Sequence, residues 1–213
     1  ELEPGIHRVS EPVRLTDADS GTALRPLVIR AGASGAAILR GSVPLRPIAD
    51  EALRAKVGAP ARPYVQIYQL PESVRAIARI DAPRRIGWLA APKVVEIYDA
   101  LGPLRPARWP NRGWAAARPA RPIDAAAATL LVDAGRQRDW AGEPDLWIGG
   151  YFKWNWAYET LSATVPNGGE HVRLGGEPEF GIAKTSRAVV YNALSELDEE
   201  GEWYRDARTG RIA

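Results

Sequence analysis

Aromatic side chains are unusually dense between positions 140 and 158. Seven of them lie within nineteen residues, namely Trp140, Trp147, Tyr151, Phe152, Trp154, Trp156 and Tyr158. Flat rings with a polar edge suit sugar rings, whose axial C–H groups stack against them. In the segment Lys153–Trp156, strand alternation would place Trp154 and Trp156 on one face and the polar pair on the other. The cluster therefore predicts one of two roles, a platform that faces a sugar or the packed core of a β-domain.

A second polar and aromatic segment is Pro106–Asn111, which reads Pro-Ala-Arg-Trp-Pro-Asn. Its two prolines restrict the backbone and would hold Arg108 and Asn111 in fixed positions. A guanidinium can donate a fork of hydrogen bonds to a carboxylate, either of the protein or of an acidic sugar. The alternative is a structural loop that Trp109 anchors.

An acidic corner follows at Glu196, Asp198, Glu199, Glu200 and Glu202. Glycoside hydrolysis uses a pair of carboxyl groups, one as acid and the other as base or nucleophile. The neighbouring sequence offers no apolar pocket that would raise the pKa of one carboxyl group above that of the other. This acidic corner therefore predicts a solvated turn.

Other patterns typical of catalytic or metal sites are missing from the sequence. His7 and His171 are the only histidines, and neither lies beside a patterned Ser or carboxylate. There is no nucleophile elbow, phosphate-binding loop or metal-spaced His pair. The run Asp17–Gly21 begins like a calcium loop but lacks the later ligands, which favours a tight turn. We therefore expect no metal and no cofactor, and the catalytic residues are unknown.

The composition indicates a folded chain with many tight turns. Gly contributes 20 and Pro 18 of the 213 residues, while 46% are apolar. Short apolar runs punctuated by Gly and Pro are typical of an all-β fold. Arg is evenly spread and the formal net charge is only +2, so we expect no nucleic-acid partner. No apolar run approaches the ~20 residues of a membrane span, so we expect no membrane partner, and Cys is absent.

The spacing of turns and apolar runs predicts three regions. The pattern in residues 1–47 predicts short strands of a coiled or barrel-like sheet. Residues 48–73 hold a helix at Ile48–Val57, with Asp50 as its N-cap, and a linker. Residues 74–213 resemble a second all-β unit, a sandwich or a small barrel. Its predicted strands are Val74–Ile80, Val94–Tyr98, Thr129–Val132, Leu146–Ile148, Leu161–Val165, His171–Leu174 and Ala188–Ala193.

Four groups of motifs match a known pattern in the expected order. They are Leu2–Pro12 with Asp19–Thr22, Arg25–Ala31 and Leu39–Gly41; Pro106–Asn111; Asp145–Tyr151 with Trp154–Ala157; and Glu196–Asp198 with Gly201–Asp206 and Thr209–Gly210. Together they resemble the front part of bacterial right-handed parallel β-helix proteins, in the pectate-lyase-like group of carbohydrate-active enzymes. The resemblance implies that residues 1–47 form the first β-helix coils and that 74–213 form a β-sandwich-like module leading back to the helix. Because coils are stable only against neighbouring coils, we expect the remainder of the β-helix in the same polypeptide or in a second chain.

The resemblance also implies the N-terminal part of a polysaccharide-degrading enzyme, a glycoside hydrolase in preference to a lyase. This part would shape the substrate cleft, while the catalytic residues would lie on coils outside the chain. The residues expected to touch a polysaccharide or oligosaccharide are Arg108, Trp109, Asn111, Trp154 and Trp156. The alternative is a non-catalytic module that binds carbohydrate or caps the helix. A chain that begins at Glu1 favours a processed N-terminus and a secreted or periplasmic location.

Overall fold

A computed structural model describes residues 1–32, 35–76, 95–120, 129–132 and 135–213. The chain divides into two compact units, Glu1–Leu45 and Arg46–Ala213. In the part of the chain that is described, no helix is long and apolar enough to span a bilayer.

The first unit is a small strand pair with long connections. Strand β1 (Gly5–Arg8) pairs in parallel with β2 (Ala37–Arg40) over four residues. A short 3-10 helix at Asp17–Asp19 forms the tight turn expected there. Its N-cap, Thr16, donates hydrogen bonds from its backbone N–H and its hydroxyl to Asp19 Oδ2, each 2.8 Å long. This local bonding closes the turn at the N-cap.

The predicted right-handed parallel β-helix is wrong for this chain. Among the described residues, parallel pairing is confined to β1 with β2, a bridge from Leu2 to Ala31, and one two-residue pair in the second unit. A β-helix buries its inward side chains between stacked coils. Here none of the described residues of the first unit is buried, and Leu24 is 94% exposed. Short strands separated by Gly and Pro occur in both architectures, so the sequence pattern did not distinguish them.

The second unit carries the remaining strands and two short helices. Its helices are α1 (Glu51–Arg54) and α2 (Glu72–Arg75), with 3-10 turns at Arg136–Trp140 and Leu194–Glu196. Its strands are β3 (Pro47–Ile48), β4 (Ile67–Gln69), β5 (Arg105–Pro106), β6 (Arg108–Trp109), β7 (Ala115–Pro119), β8 (Thr129–Leu131), β9 (Leu146–Tyr151), β10 (Glu159–Thr164), β11 (Val172–Leu174), β12 (Ser186–Tyr191), β13 (Glu202–Trp203), β14 (Arg205–Asp206) and β15 (Arg211–Ile212).

Six of these strands close into an antiparallel barrel. Their order is β12-β7-β8-β11-β10-β9, and β9 returns to pair with β12. Strand β6 extends the edge of β12 beyond β7. Alternate side chains fill the interior, which is apolar and almost fully buried, including Leu130, Ile148, Phe152, Leu161, Val172 and Val190. The predicted mainly β class is confirmed, and the module is a closed barrel rather than a sandwich.

A separate four-stranded sheet, ordered β14-β15-β4-β3, also belongs to this unit. Its core includes Leu53 and Val57 beside α1, together with Ile67 of β4 and Tyr204. The predicted helix is confirmed in its centre but is shorter, because only Glu51–Arg54 are α-helical. As expected, its N-cap is Asp50, whose carboxylate accepts a hydrogen bond from the Leu53 backbone N–H.

The strand predictions of the second unit divide into two groups. Five of the seven overlap β8, β9, β10, β11 and β12. Val74–Ile80 begins inside α2 instead, and its residues 77–80 lie outside the described residues. In Val94–Tyr98, residue 94 also lies outside them, and Tyr98 forms an isolated bridge with Pro103.

Candidate functional site

Three aromatic rings meet edge to face on the outside of the barrel. Ring-centroid distances are 5.2 Å from Trp114 to Tyr151, 6.0 Å from Trp114 to Tyr158, and 5.5 Å from Tyr151 to Tyr158. Trp114 immediately precedes β7, Tyr151 ends β9, and Tyr158 immediately precedes β10. Trp114 remains 41% exposed. We call these three residues, together with Arg187, the outer aromatic surface.

Arg187 lies beside these rings, directly across the β9–β12 ladder from Tyr151. Its guanidinium carbon is 4.9 Å from the Tyr151 ring centroid and 5.9 Å from that of Trp114. Its Nη2 donates a 3.1 Å hydrogen bond to Asn155 Oδ1. Cation–π contacts of this kind fix a long side chain without burying its charge.

Gly149 makes room for the Tyr158 ring. A Cβ at Gly149 would overlap the Tyr158 hydroxyl, whereas a Cβ at Gly150 would lie 2.5 Å from the backbone carbonyl oxygen of Arg187. The Tyr158 hydroxyl is the far end of a side chain that can swing away, but the backbone of β12 is fixed by its two ladders. Gly149 therefore sets the position of a ring, and Gly150 sets the spacing of two barrel strands.

We expect Gly150→Ala to lower the free energy of unfolding by about 2–4 kcal/mol, because overpacking against backbone forces the strands apart. Gly149→Ala should cost less than about 1 kcal/mol, since only the Tyr158 side chain must move. Urea unfolding followed by circular dichroism measures both values. Equal losses for the two variants would contradict this assignment.

The loop between β9 and β10 presents two further indoles. Trp154 is 46% and Trp156 is 64% exposed. Lys153 Nζ lies 5.5 Å from the Trp154 ring centroid, and Trp156 packs edge to face on Phe180 at 5.3 Å. These exposures exclude core packing for both indoles.

The rest of the predicted aromatic cluster behaves differently. Trp140 and Phe152 are fully buried in the barrel core. Trp147 is also buried, and its indole N–H donates a 3.0 Å hydrogen bond to Asp145 Oδ1. Core packing therefore describes part of the cluster, and the sugar-facing role of the exposed part stays a prediction.

The side chains predicted from the Pro106–Asn111 segment make contacts within the protein. Arg108 donates 3.0 Å hydrogen bonds to the backbone carbonyls of Pro110 and Gly113, and so fixes the loop that ends at Trp114. Trp109 packs on the barrel core, 5.6 Å from the Trp140 ring. Contact of Arg108 or Trp109 with sugar stays a prediction. Trp114, the exposed indole that this loop presents, was missed because it follows a Gly without a periodic pattern.

Asn111, the remaining predicted residue of this segment, reaches the acidic corner. Its Nδ2 donates a 2.8 Å hydrogen bond to Asp198 Oδ1. Its contact with sugar also stays a prediction. The amide therefore ties the Pro106–Asn111 loop to the turn after β12.

The solvated turn expected for the acidic corner is wrong for two of its members. Glu196 is buried and accepts hydrogen bonds from Trp140 Nε1 at 2.7 Å and Arg136 Nη2 at 2.8 Å. Glu202 is also buried and accepts from the backbone N–H groups of Asp198 and Glu199. Burial raises the pKa of Glu202. Both carboxyl groups are therefore held by hydrogen bonds from within the protein.

A partly buried carboxylate also joins the barrel to the four-stranded sheet. Glu143 accepts 2.9 Å and 2.8 Å hydrogen bonds from the Leu194 backbone N–H and the Tyr204 hydroxyl. Burial raises the pKa of Glu143 above its ordinary 4.5 despite these bonds. Burial, and the carboxylate beside it, also raise the pKa of Tyr204.

This carboxylate gives a pH-dependent prediction. Because the pKa of Glu143 is higher in the folded than in the unfolded state, its ionisation removes stability as the pH rises from 4.5 through the raised value. Glu143→Gln lacks this loss, so its stability relative to the wild type should increase between pH 4 and 8. Urea unfolding of both proteins across that range measures the difference, and the contribution of Glu202 cancels. A constant difference would contradict the prediction.

In the described part of the chain, no group of three or more His, Cys, Asp or Glu side chains is placed to hold a metal ion.

The chain resembles a protein of known structure in its fold but matches no known family by sequence. No family model and no curated protein matches the sequence. A solved structure named "Glycoside hydrolase" matches with a TM-score of 0.64 and 16% sequence identity. The match covers 99% of this chain and 34% of that chain, so this chain spans about a third of the other protein's length. The likeness is one of fold.

Proposed function

We propose that the chain is the carbohydrate-contacting part of a glycoside hydrolase, with glycan bound on the outer aromatic surface and the neighbouring Trp154 and Trp156. The observation that carries the proposal is the group of exposed indoles on one well-packed barrel. The similarity in fold to a protein named as a glycoside hydrolase supports the same class of ligand. A polysaccharide ligand fits a secreted or periplasmic location.

The geometry suits stacking against sugars. The edge-to-face contacts hold Trp114, Tyr151 and Tyr158 in place before binding, so little side-chain freedom is lost when a sugar docks. Asn155 and Arg187 supply polar groups at the edge of the rings, which can hydrogen-bond to hydroxyl groups. Separate indoles at 114, 154 and 156 favour an oligosaccharide or polysaccharide over a single sugar.

The proposed role is binding and placement of the substrate, and the catalytic residues remain unassigned. The buried carboxyl groups of Glu196 and Glu202 form hydrogen bonds and ion pairs with other groups of the protein. This observation favours a second candidate, a carbohydrate-binding module without catalysis of its own. Both candidates require glycan binding, and they differ in whether the chain helps to form a cleft where bonds are cleaved.

Replacement of Trp154 by Ala tests the proposal. We expect affinity for a bound glycan to fall about 5- to 30-fold, the loss for a stacking indole of 1–2 kcal/mol. The melting temperature should stay nearly unchanged, because substitution of an exposed side chain costs about 0.5 kcal/mol or less. Affinity electrophoresis against a panel of neutral and acidic polysaccharides identifies the glycan, and calorimetry gives the affinities.

Tyr64→Ala is the matched control. Tyr64 is 85% exposed and makes none of the ring contacts found among the described residues. It should bind glycan like the wild type. Failure of the wild type to bind any polysaccharide would overturn the proposal, and a large fall in the melting temperature of Trp154→Ala would give this indole a packing role instead.

A further inference from the structure

The outer face of the barrel carries charge of one sign. Its six strands contain three arginines, Arg118, Arg173 and Arg187, and all three are exposed. Each alternates with core residues and therefore points outward. The strands contain one carboxylate, Glu159, which is buried opposite Gly150 and accepts a hydrogen bond from the Glu179 backbone N–H.

Two of these arginines lie close together at the outer aromatic surface. Ala116 of β7 is directly opposite Arg187 of β12, and Arg118 lies two residues further along the same face of β7. Diagonal neighbours of this kind have Cα atoms about 7–8 Å apart, and like charges on adjacent strands repel. Arg173 of β11 lies beyond the intervening strand β8.

These two guanidiniums also keep donors available. A guanidinium has five N–H donors. In the part of the chain that the structure describes, Arg187 donates to Asn155 alone and has no carboxylate within 4 Å, and Arg118 has neither a hydrogen bond nor an ion pair. Elsewhere in this unit, Arg205 and Arg211 do pair, with Asp145 and Asp50.

Resting on the function proposed above, we infer that the outer aromatic surface selects a glycan that carries an anionic group, a carboxylate or a sulfate. Arg187 binds that group, and Arg118 adds a second positive charge beside it. Arg187 is held by Asn155 and by two ring faces, so its free donors are aimed before the ligand arrives. A guanidinium suits this role because its planar fork matches the two oxygens of a carboxylate or sulfate. An anion between the two arginines also offsets their repulsion.

The test compares glycans that differ only in charge. The probes are a polyuronate with its fully methyl-esterified form, and a sulfated polysaccharide with its desulfated form. Calorimetry should give at least tenfold tighter binding of one charged form than of its neutral partner, and the preference should shrink as salt rises. Comparison of the two pairs distinguishes carboxylate from sulfate.

Variants identify which arginines cause the preference for charged glycan. Arg187→Gln should lower affinity for the charged glycan at least tenfold. It should lower affinity for the neutral form only about two- to fivefold, the loss of one hydrogen bond to a hydroxyl group, so most of the preference for charge should disappear. Arg118→Gln should have a smaller effect in the same direction, and Arg187→Lys should restore part of the loss. Arg173→Gln removes the same charge from the same barrel and should bind like the wild type.

Four outcomes would overturn the inference. The wild type could bind the charged and neutral glycans with equal affinity. Arg187→Gln could also lower affinity for both glycans by the same factor. In either case the proposed function would stand without selection for charge. Arg173→Gln could lose as much as Arg187→Gln, which would reduce the effect to net charge. If the wild type binds none of the four probes or the wider panel, the proposed function fails and the inference fails with it.

Discussion

Asn192→Ala is expected to lower the free energy of unfolding of the Arg46–Ala213 unit by about 3–5 kcal/mol. Asn192 is fully buried and has φ 62°, in the left-handed region. Its Nδ2 donates to the carbonyl oxygens of Asp145 at 2.9 Å and Arg205 at 3.1 Å, and its Oδ1 accepts from the Arg205 N–H at 2.8 Å. Ala would remove the amide that bonds to these three backbone groups, and a buried group that loses its hydrogen bond costs about 1–3 kcal/mol. It would also add about 1 kcal/mol of backbone strain.

Urea unfolding of this variant measures the loss, and Asn192→Gly separates its two causes. Gly adopts a positive φ without strain, but it also lacks the amide. The Gly variant should therefore be about 1 kcal/mol more stable than the Ala variant, and its free energy of unfolding should still lie well below that of the wild type. A loss of less than about 1 kcal/mol for Ala would mean that this amide does not lock the end of the barrel to β14.

Trp114→Ala is expected to reduce glycan affinity by about 10- to 30-fold, the largest effect of any single indole on binding. Trp114 contacts both Tyr151 and Tyr158 and lies under the Arg187 guanidinium. Its loss removes a stacking face and also releases the groups around it. Calorimetry with the glycan found by the polysaccharide panel measures the effect.

Trp114→Phe is the companion variant, because a smaller ring retains part of the stacking face and of the edge-to-face contacts. The Phe variant should recover at least about a third of the binding free energy that the Ala variant loses. Unchanged binding by Trp114→Ala, in a protein with wild-type circular dichroism, would remove the outer aromatic surface from the proposed site.

Local features of the fold were predictable from the sequence. The Asp50 cap and the short helix after it follow from the side chains themselves. Five strands of the barrel were recognisable because they are short apolar runs between turns, and in some of them, such as β11, buried and exposed residues alternate. Strand direction was not recognisable, since a short apolar run looks the same whether its partner is parallel or antiparallel. That ambiguity led to the mistaken β-helix.

The candidate site was predictable only where exposure follows from local sequence. Trp154 and Trp156 stand in a polar turn, and both are exposed. By contrast, Glu196 is buried by Trp140 and Arg136, which are 56 and 60 residues away in the chain. Arg108 bonds to backbone carbonyls, which carry no signal in the sequence. The contacts of Glu196 join residues far apart in the chain, so no local pattern encodes them.

An NMR titration tests the proposed carbohydrate site most directly. The oligosaccharide is added stepwise, and the indole N–H signals are followed. Trp→Phe variants assign each of the eight signals. The signals of Trp114, Trp154 and Trp156 should shift or broaden, while those of the buried Trp140 and Trp203 should stay in place. Shifts confined to other tryptophans, or no shifts with an oligosaccharide that calorimetry shows to be bound, would contradict a carbohydrate site on the outer aromatic surface.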